Sequence, residues 1–293
     1  MPMDTLIMFA AALLPVIFLL IYICRQDPQP EPISWLVKAV MYGVGICIPV
    51  AMLEMAIEQA MLGGNATDLF DTTIQAFFVA ALPEESFKLL ALWLLLRKNP
   101  YFDEHFDGIV YAVCVGLGFA AVENVFFVVG EEGNWMGVAV NRALLAVPGH
   151  YAFAVLMGYY YSVYRFVDHS SRTAACVLLV PVVAHGVYDA LALSGTVNPY
   201  VGGIGTIVLI YFCVKMHKFA KTKIVEHIAR DRGEASIDGE LFKKKESVSQ
   251  SVKTDRDRRT YLINGEWVHV PNCVDDTPWA EADESENNPR RKK

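Results

Sequence analysis

Charged and imidazole side chains occur in this sequence inside long apolar stretches, where such groups are rare. Two adjacent acids, Glu84 and Glu85, are followed one turn later by Lys88, and His150 and His185 lie in later apolar stretches. A charge in the middle of a bilayer costs at least about 2.5 kcal/mol, so such residues are usually functional. A carboxylate can activate water as a general base, and a histidine can polarise a carbonyl or protonate a leaving amine. These residue types indicate hydrolysis of an amide bond.

Helical spacing predicts which of these groups share a face. Glu84 and Lys88 are four residues apart, as are His185 and Asp189, and side chains at that spacing meet on one side of a helix. The Asp189 carboxylate can therefore hold one ring nitrogen of His185 and fix its tautomer. Glu85 points about 100° away from Glu84, so Lys88 can neutralise one acid while the other faces a cavity.

The elements that must position these groups are membrane-spanning helices. The chain is 54% hydrophobic and 19% charged, whereas soluble proteins average roughly 25% charged residues. This composition excludes a large soluble enzyme domain and a nucleic-acid-binding protein. It predicts an all-α polytopic bundle, because several apolar stretches reach the ~20 residues needed to span a bilayer. The seven predicted spans are Thr5–Cys24, Ser34–Ile57, Thr72–Leu96, Phe106–Val129, Met136–Tyr164, Thr173–Leu193 and Tyr200–Met216.

The loops between the spans differ in basic charge. Loops 58–71, 130–135 and 194–199 contain no Lys or Arg, whereas the alternate loops are flanked by Lys or Arg. Because basic loops stay in the cytoplasm, we expect an extracytoplasmic N-terminus, a cytoplasmic C-terminus and a multi-pass protein of the cell (inner) membrane.

The polar residues lie at similar depths. Counted from the predicted span ends, Glu84, Glu123, His150 and His185 fall in the middle or outer half of the bilayer. Four helices therefore direct polar side chains to one layer, and Pro83 can widen a water-filled pocket there by removing a backbone donor. The predicted catalytic residues are Glu84, Glu85, Glu123, His150 and His185, supported by Lys88, Asn124 and Asp189.

The end of the chain has a different composition. Residues 218–293 hold 16 of the 25 Lys and Arg residues. We therefore predict a membrane domain at 1–217 and a largely disordered cytoplasmic tail at 218–293, which could recruit a cytoplasmic partner. Within the tail, alternation around Asn264-Gly265 predicts a β-hairpin over Tyr261–Val270.

Three motifs in this sequence resemble the PrsW family of glutamic intramembrane proteases, distant relatives of the CAAX prenyl endopeptidases and of bacteriocin-processing membrane proteases. They are Glu84-Glu85-Ser-Phe-Lys88, Phe119-Ala-Ala-Val-Glu123 and His185-Gly-Val-Tyr-Asp189. The resemblance extends over residues 77–189 and adds Pro148-Gly-His150 on the intervening span. Each motif alone is weak, but three in order on three spans are specific.

The resemblance implies a role for each matched residue. Glu84 or Glu85 would activate water, Glu123 would assist that base, and His185 with Asp189 would stabilise the oxyanion. It implies no cofactor, and a single-pass membrane protein as substrate. Family members are associated with the first extracytoplasmic cut of a membrane-anchored anti-sigma factor.

Other functions stay open on the residues alone. A zinc-dependent protease would use Glu85, Glu123, His150 and His185 as ligands, since mixed nitrogen and oxygen sets occur at catalytic zinc. A proton- or cation-coupled transporter also needs buried carboxylates and histidines, although no two-fold repeat of the kind common in transporters is visible. A substrate-binding protein without protease activity is a third possibility.

A few further residues are predicted to be interfacial or structural, and for Arg142 a functional role stays open as well. Glu54 and Glu58 lie near the outer end of the second span and are expected to be interfacial. Arg142 lies close enough to the outer interface to extend into it. The glycines expected to allow close helix packing are Gly43, Gly45, Gly116 and Gly118.

Overall fold

The computed structural model describes residues 3–64, 66–131, 133–197, 199–232, 260–263 and 266–269. The chain forms two compact units, Met1–Ala235 and Ser236–Lys293. The described part of the first unit is helical, as predicted. Its helices are α1 (Met3–Cys24), α2 (Ile33–Leu62), α3 (Leu69–Ile74), α4 (Leu82–Leu96), α5 (His105–Gly130), α6 (Trp135–Asn141), α7 (Val147–Phe166), α8 (Ser171–Val197) and α9 (Pro199–Asp231).

Six helical segments of the described residues are long and apolar enough to cross a membrane. They are Asp4–Cys24, Ile33–Leu62, His105–Gly130, Trp135–Phe166, Ser171–Val197 and Tyr200–Asp231. The third predicted span is also helical, but it consists of α3, a π-helical segment and α4, and it contains buried charged residues. The helical membrane bundle is therefore confirmed, while the orientation of its termini stays a prediction.

Two π-helical segments, Gln75–Ala81 and Arg142–Ala146, interrupt the helical geometry close to the polar residues. Each segment ends two residues before a proline, Pro83 or Pro148. A proline lacks the backbone N–H that would continue the regular ladder, so a wider turn before it accommodates the missing bond. Glu84 and Glu85 follow Pro83 directly, and His150 follows Pro148 by two residues. These side chains therefore lie where the direction of the helix changes locally.

Helix α5 lies at the centre of the bundle, and its residues 106–120 are all buried. It approaches α2 closely at Gly118, where a Cβ atom would lie 2.3 Å from the carbonyl oxygen of Val40. Close packing is likewise confirmed at Gly43 and Gly116. The expectation for Gly45 is wrong, because a Cβ atom there would meet no heavy atom within 4 Å.

The outer faces of the bundle are apolar. Phe18 on α1, Ile48 on α2 and Ile207 on α9 are each about two-thirds or more exposed, at 67%, 67% and 72%. Large apolar side chains that share an exposed face are expected where lipid replaces water as the surrounding medium.

The second unit contains an antiparallel hairpin of β1 (Thr260–Ile263) and β2 (Glu266–His269). Ile263 pairs with Glu266, which leaves two residues between the strands and confirms the predicted hairpin. The predicted disorder of the tail lies outside the described residues. In the first unit, α9 continues to Asp231, past the boundary of 217 that charge composition predicts; the division into membrane domain and tail stays a prediction.

Candidate active site

A cavity of 720 Å³ opens among α2, the π-helical segment before α4, and helices α5, α7 and α8. Phe119 and Phe153 form part of its apolar wall. The ionisable residues that line it are Glu54, Glu58, Glu84, Glu123, Arg142, His150, His185 and Asp189. Four of the five predicted catalytic residues therefore border one cavity, although they come from four different helices.

The two adjacent acids differ in their access to this cavity. Glu84 lines it, whereas Glu85 is fully buried with no exposed surface. The ammonium nitrogen of Lys88 lies 2.8 Å from Glu84 Oε2 and 2.8 Å from Glu85 Oε1. Lys88 thus contacts both acids, not one of them as the helical spacing suggested, because its long side chain reaches between neighbouring positions on the helix.

His185 lies between carboxylates on both sides of its ring. Its Nδ1 is 2.9 Å from Glu85 Oε1, and its Nε2 is 3.2 Å from Asp189 Oδ2. The predicted contact with Asp189 is therefore present. Phe153 stacks on the ring at 4.6 Å between centroids, so the orientation of the imidazole is fixed both by polar contacts in its plane and by packing on its face.

His150 forms a second pair with Glu123. Its Nε2 lies 2.7 Å from Glu123 Oε2, and its Nδ1 lies 3.3 Å from the Lys88 ammonium. Since an ammonium can only donate, Nδ1 accepts, and Nε2 then carries the proton and donates to Glu123. The rings of His150 and His185 meet edge to face at 5.4 Å, which joins the two acid–imidazole pairs into one cluster.

Arg142 points into the cavity. One guanidinium nitrogen lies 3.1 Å from Glu123 Oε2, and Nε donates to Asn124 Oδ1 at 2.6 Å. The amide of Asn124 in turn donates to the carbonyl of Ala12 on α1 at 2.6 Å. A carboxylate and an amide of the bundle therefore hold the Arg142 side chain, a contact that the sequence analysis did not predict, while its depth in the membrane stays a prediction. Asn124 contacts Arg142 and is not among the residues that line the cavity.

Glu54 and Glu58 also differ from the sequence prediction. Both line the cavity, one helical turn apart on α2, and Glu58 Oε1 accepts from the Gln75 amide at 3.4 Å. Glu54 Oε1 is buried and has no hydrogen-bond partner among the described residues. The missed signal is the length of α2, which has 30 residues: both acids lie on its last three turns, and that end of α2 borders the cavity.

Part of the site can offer ligands to a metal ion. One ligand atom each from Glu84, His150 and His185 lies within 4.8 Å of the others, and two histidines with a glutamate are a catalytic zinc set. Each imidazole also contacts a further carboxylate, as metal-bound histidines commonly do. The donor set therefore fits a metal, but the ammonium of Lys88 contacts Glu84 and His150 and would have to give up these contacts.

The zinc set expected from the sequence is only partly brought together. The residues whose ligand atoms lie within 4.8 Å of one another include Glu84 but not Glu85 or Glu123. The carboxylates of Glu85 and Glu123 instead contact the two imidazoles.

Comparison with known proteins adds an independent observation. A family model described as PrsW family intramembrane metalloprotease matches residues 31–216. No solved structure matches the chain.

Curated relatives called Protease PrsW are similar over most of their length. The protein from Clostridioides difficile (strain 630) is 31% identical over 191 residues, which cover 64% of this chain and 79% of the relative. The protein from Geobacillus kaustophilus (strain HTA426) is 30% identical over 217 residues, covering 73% and 92%. The protein from Bacillus subtilis (strain 168) is 34% identical over 187 residues, covering 61% and 80%.

Proposed function

Because this chain belongs to the PrsW family of intramembrane proteases, we propose that it cleaves a single-pass membrane protein with a water molecule activated by Glu84. The observation that carries the proposal is the convergence of two acid–imidazole pairs, Glu85–His185 and Glu123–His150, around one cavity that Glu84 borders.

Glu84 is the better base of the two adjacent acids. Glu84 lines the cavity, which a substrate carbonyl and a water molecule can enter, whereas Glu85 is fully buried in the protein. Lys88 holds the Glu84 carboxylate at 2.8 Å and so fixes its direction. Glu85 is a positioning residue in this scheme, since its oxygen joins Lys88 to His185.

The proposed reaction has two steps. Glu84 takes a proton from water while the water oxygen bonds to the carbonyl carbon, which gives a tetrahedral oxyanion. The carbon–nitrogen bond then breaks as Glu84 returns the proton to the leaving nitrogen, which gives a carboxylic acid and an amine; transfer of the acid proton to the amine yields the carboxylate and ammonium products.

Two side chains in the cavity can stabilise the oxyanion. His185 is held in a fixed orientation between two carboxylates, and the cationic Arg142 guanidinium points into the same space. Preorganised donors of this kind commonly supply 10²–10³-fold, or about 3–4 kcal/mol, of rate enhancement each.

A metal-assisted form of the same hydrolysis is a second candidate. The observation in its favour is that ligand atoms of Glu84, His150 and His185 lie within 4.8 Å of one another. A zinc ion bound there would supply a Lewis acid for the carbonyl and an acidified water. The roles of Glu123 and Asp189 would then be to orient the two imidazoles.

We propose that the cut lies near the extracytoplasmic face. The cavity reaches Met55 and Glu58 on α2 and Leu193 on α8, close to the ends of these helices that lead into loops without Lys or Arg. Basic residues favour the cytoplasmic side, so this end is assigned to the outside. A membrane-anchored anti-sigma factor in the cell membrane is the proposed substrate class.

The test begins by identifying a substrate. Membrane proteins of cells that produce the wild-type chain are compared with those of cells that produce Glu84→Gln, and truncated single-pass proteins specific to the wild type are collected. One such protein is then cleaved by purified enzyme in proteoliposomes. Asp168→Asn, which changes a carboxylate outside the cavity, is the matched control and should cleave normally.

The outcomes separate the two candidates. Cleavage that withstands 1,10-phenanthroline supports the glutamate mechanism, and cleavage that is lost with the chelator and restored by Zn²⁺ supports the metal-assisted form. If the wild type releases no fragment that Glu84→Gln fails to release, the proposed function is wrong.

A further inference from the structure

A second group of buried carboxylates lies at the other end of the bundle, where α1 ends and α5 begins. Asp27 belongs to the loop between α1 and α2, Glu104 precedes α5, and Asp107 is in the first turn of α5. Asp107 has no exposed surface and Asp27 is 8% exposed. None of the three takes part in the proposed protease reaction.

One oxygen of each carboxylate is used by the local backbone or a nearby amide. Asp27 Oδ1 accepts from the backbone N–H of Gln29 at 2.9 Å. Asp107 Oδ2 accepts from the backbone N–H groups of Asp103 and Glu104 at 3.1 and 2.8 Å. Glu104 Oε1 accepts from the side-chain amide of Gln29. These bonds fix the position of all three side chains.

The second oxygen of each carboxylate has no such partner. Asp27 Oδ2, Glu104 Oε2 and Asp107 Oδ1 are buried without a hydrogen-bond partner of normal geometry within the described ranges, and the carboxyl group of Glu31 is the neighbour that interacts with Asp107. One oxygen from each of the three residues lies within 4.8 Å of the others. Buried acceptors without partners are costly, so this arrangement indicates a ligand that the oxygens can share.

The surroundings add negative charge to the group. Glu31, whose carboxylate accepts from the Tyr111 hydroxyl at 2.5 Å, and Asp231 at the end of α9 are both close enough to add their negative charge to that of Asp27 and Glu104. Carboxylates held this close need either shared protons or a bound cation.

We propose that Asp27, Glu104 and Asp107 bind one hard divalent cation, Mg²⁺ or Ca²⁺. The donor atoms are all carboxylate oxygens, which favour these ions over zinc or copper. Three protein oxygens leave positions for water, as is usual for Mg²⁺ and tolerated by Ca²⁺. The cation fastens the α1–α2 loop to the start of α5.

This end of the bundle is also the place where α9 is attached, which gives the cation a structural consequence. Asp231 at the end of α9 accepts from the backbone N–H groups of His105 and Phe106 at 2.8 Å each. The first turn of α5 therefore connects to α9 through Asp231 and to the α1–α2 loop through the cation.

The experiment uses the full-length purified chain in detergent micelles after treatment with EDTA. MgCl₂ or CaCl₂ is titrated by calorimetry, and thermal unfolding is followed with and without each salt. For the wild type we expect saturable binding and a midpoint raised by roughly 5–10 °C at a cation concentration about 100-fold above Kd. The relative size of the Mg²⁺ and Ca²⁺ shifts identifies the preferred ion.

Two variants remove a ligand charge and keep the local hydrogen bond. In Asp27→Asn and Asp107→Asn the amide oxygen can still accept from the backbone, while the affinity for the cation should fall by at least about tenfold. Glu104→Gln, at a less buried position, is the substitute if either variant does not fold. Asp168→Asn is the control, because Asp168 also accepts from a backbone N–H near a helix start but lies outside the group, and it should bind like the wild type.

The proposal is overturned if neither salt binds the wild type or shifts its midpoint. The carboxylates would then share protons, and Asp107→Asn would be at least as stable as the wild type in EDTA. It is also overturned if the ligand variants bind either ion as tightly as the control. Because binding and unfolding are measured without a substrate, failure here is distinct from failure of the proposed protease function.

Discussion

Replacement of each acid of the Glu84–Glu85 pair by glutamine separates the water-activating residue from the one that positions it. Glu84 lines the cavity and contacts Lys88, whereas Glu85 is fully buried and contacts both Lys88 and His185. Loss of a general base commonly costs 10²–10⁴ in rate. We therefore expect Glu84→Gln to slow cleavage by that factor, with a smaller loss of stability than Glu85→Gln, because it removes one ionic contact at the edge of the cavity and leaves Lys88 paired with Glu85.

For Glu85→Gln the expected loss is mainly in stability. Lys88 at 2.8 Å and His185 at 2.9 Å each lose one of two carboxylate partners and keep only Glu84 and Asp189, respectively. Breaking a buried ion pair typically costs about 3–5 kcal/mol. For a chain of this size each kcal/mol lowers the midpoint by about 2–4 °C, so a decrease of roughly 6–20 °C is expected. Activity should fall as well, because His185 loses its orientation.

The assay combines single-turnover cleavage in proteoliposomes with thermal unfolding of the same preparations. The comparison of the two effects is decisive: we expect a large rate loss with the smaller decrease in midpoint for Glu84→Gln, and the larger decrease in midpoint for Glu85→Gln. The opposite pattern, with Glu84→Gln active and Glu85→Gln stable but inactive, would refute the assignment and make Glu85 the base.

Three further outcomes are expected. Arg142→Met leaves Glu123 without its guanidinium partner at 3.1 Å and should reduce the cleavage rate at least about tenfold, with a smaller change in substrate affinity, because donors to the oxyanion act in the transition state. Gly118→Ala places a Cβ 2.3 Å from a carbonyl oxygen of α2 and should destabilise the bundle by about 1–3 kcal/mol. Gly45→Ala places a Cβ in open space and should be neutral or slightly stabilising. Chemical denaturation measures both effects. In EDTA, stability should fall as the pH rises above the ordinary carboxyl range. Burial raises the pKa of Asp27, so in this range the folded chain holds a proton that the unfolded chain has released. Unfolding midpoints of the wild type and of Asp27→Asn, measured against pH, test the sign.

Local sequence information was sufficient to predict the helices, the hairpin and the side-chain contacts between residues of the same helix. Long apolar stretches predict helices by length alone, and the spacing of four residues places Glu84 with Lys88 and His185 with Asp189, as the distances of 2.8 and 3.2 Å confirm. The hairpin followed from alternation and a two-residue turn in the same way.

Predictions that depended on depth in the membrane were less accurate. Arg142 was expected at the interface, and Glu54 likewise, yet both line the cavity. Distance from a helix end determines depth only, and it gives no information on the direction in which a side chain points. That direction depends on the rotation of each helix about its own axis.

The sequence by itself therefore determined a helical membrane bundle and the chemical types of its polar groups, because hydropathy and helical periodicity are properties of neighbouring residues. Only the tertiary structure decided that Glu84 reaches the cavity while Glu85 does not, and that Glu123 contacts His150. It also decided that carboxylates from separate segments meet near the start of α5. These contacts join residues far apart in the chain. They depend on how closely the helices approach one another at glycines, and on how the π-helical turns before Pro83 and Pro148 change the direction of the helices that follow.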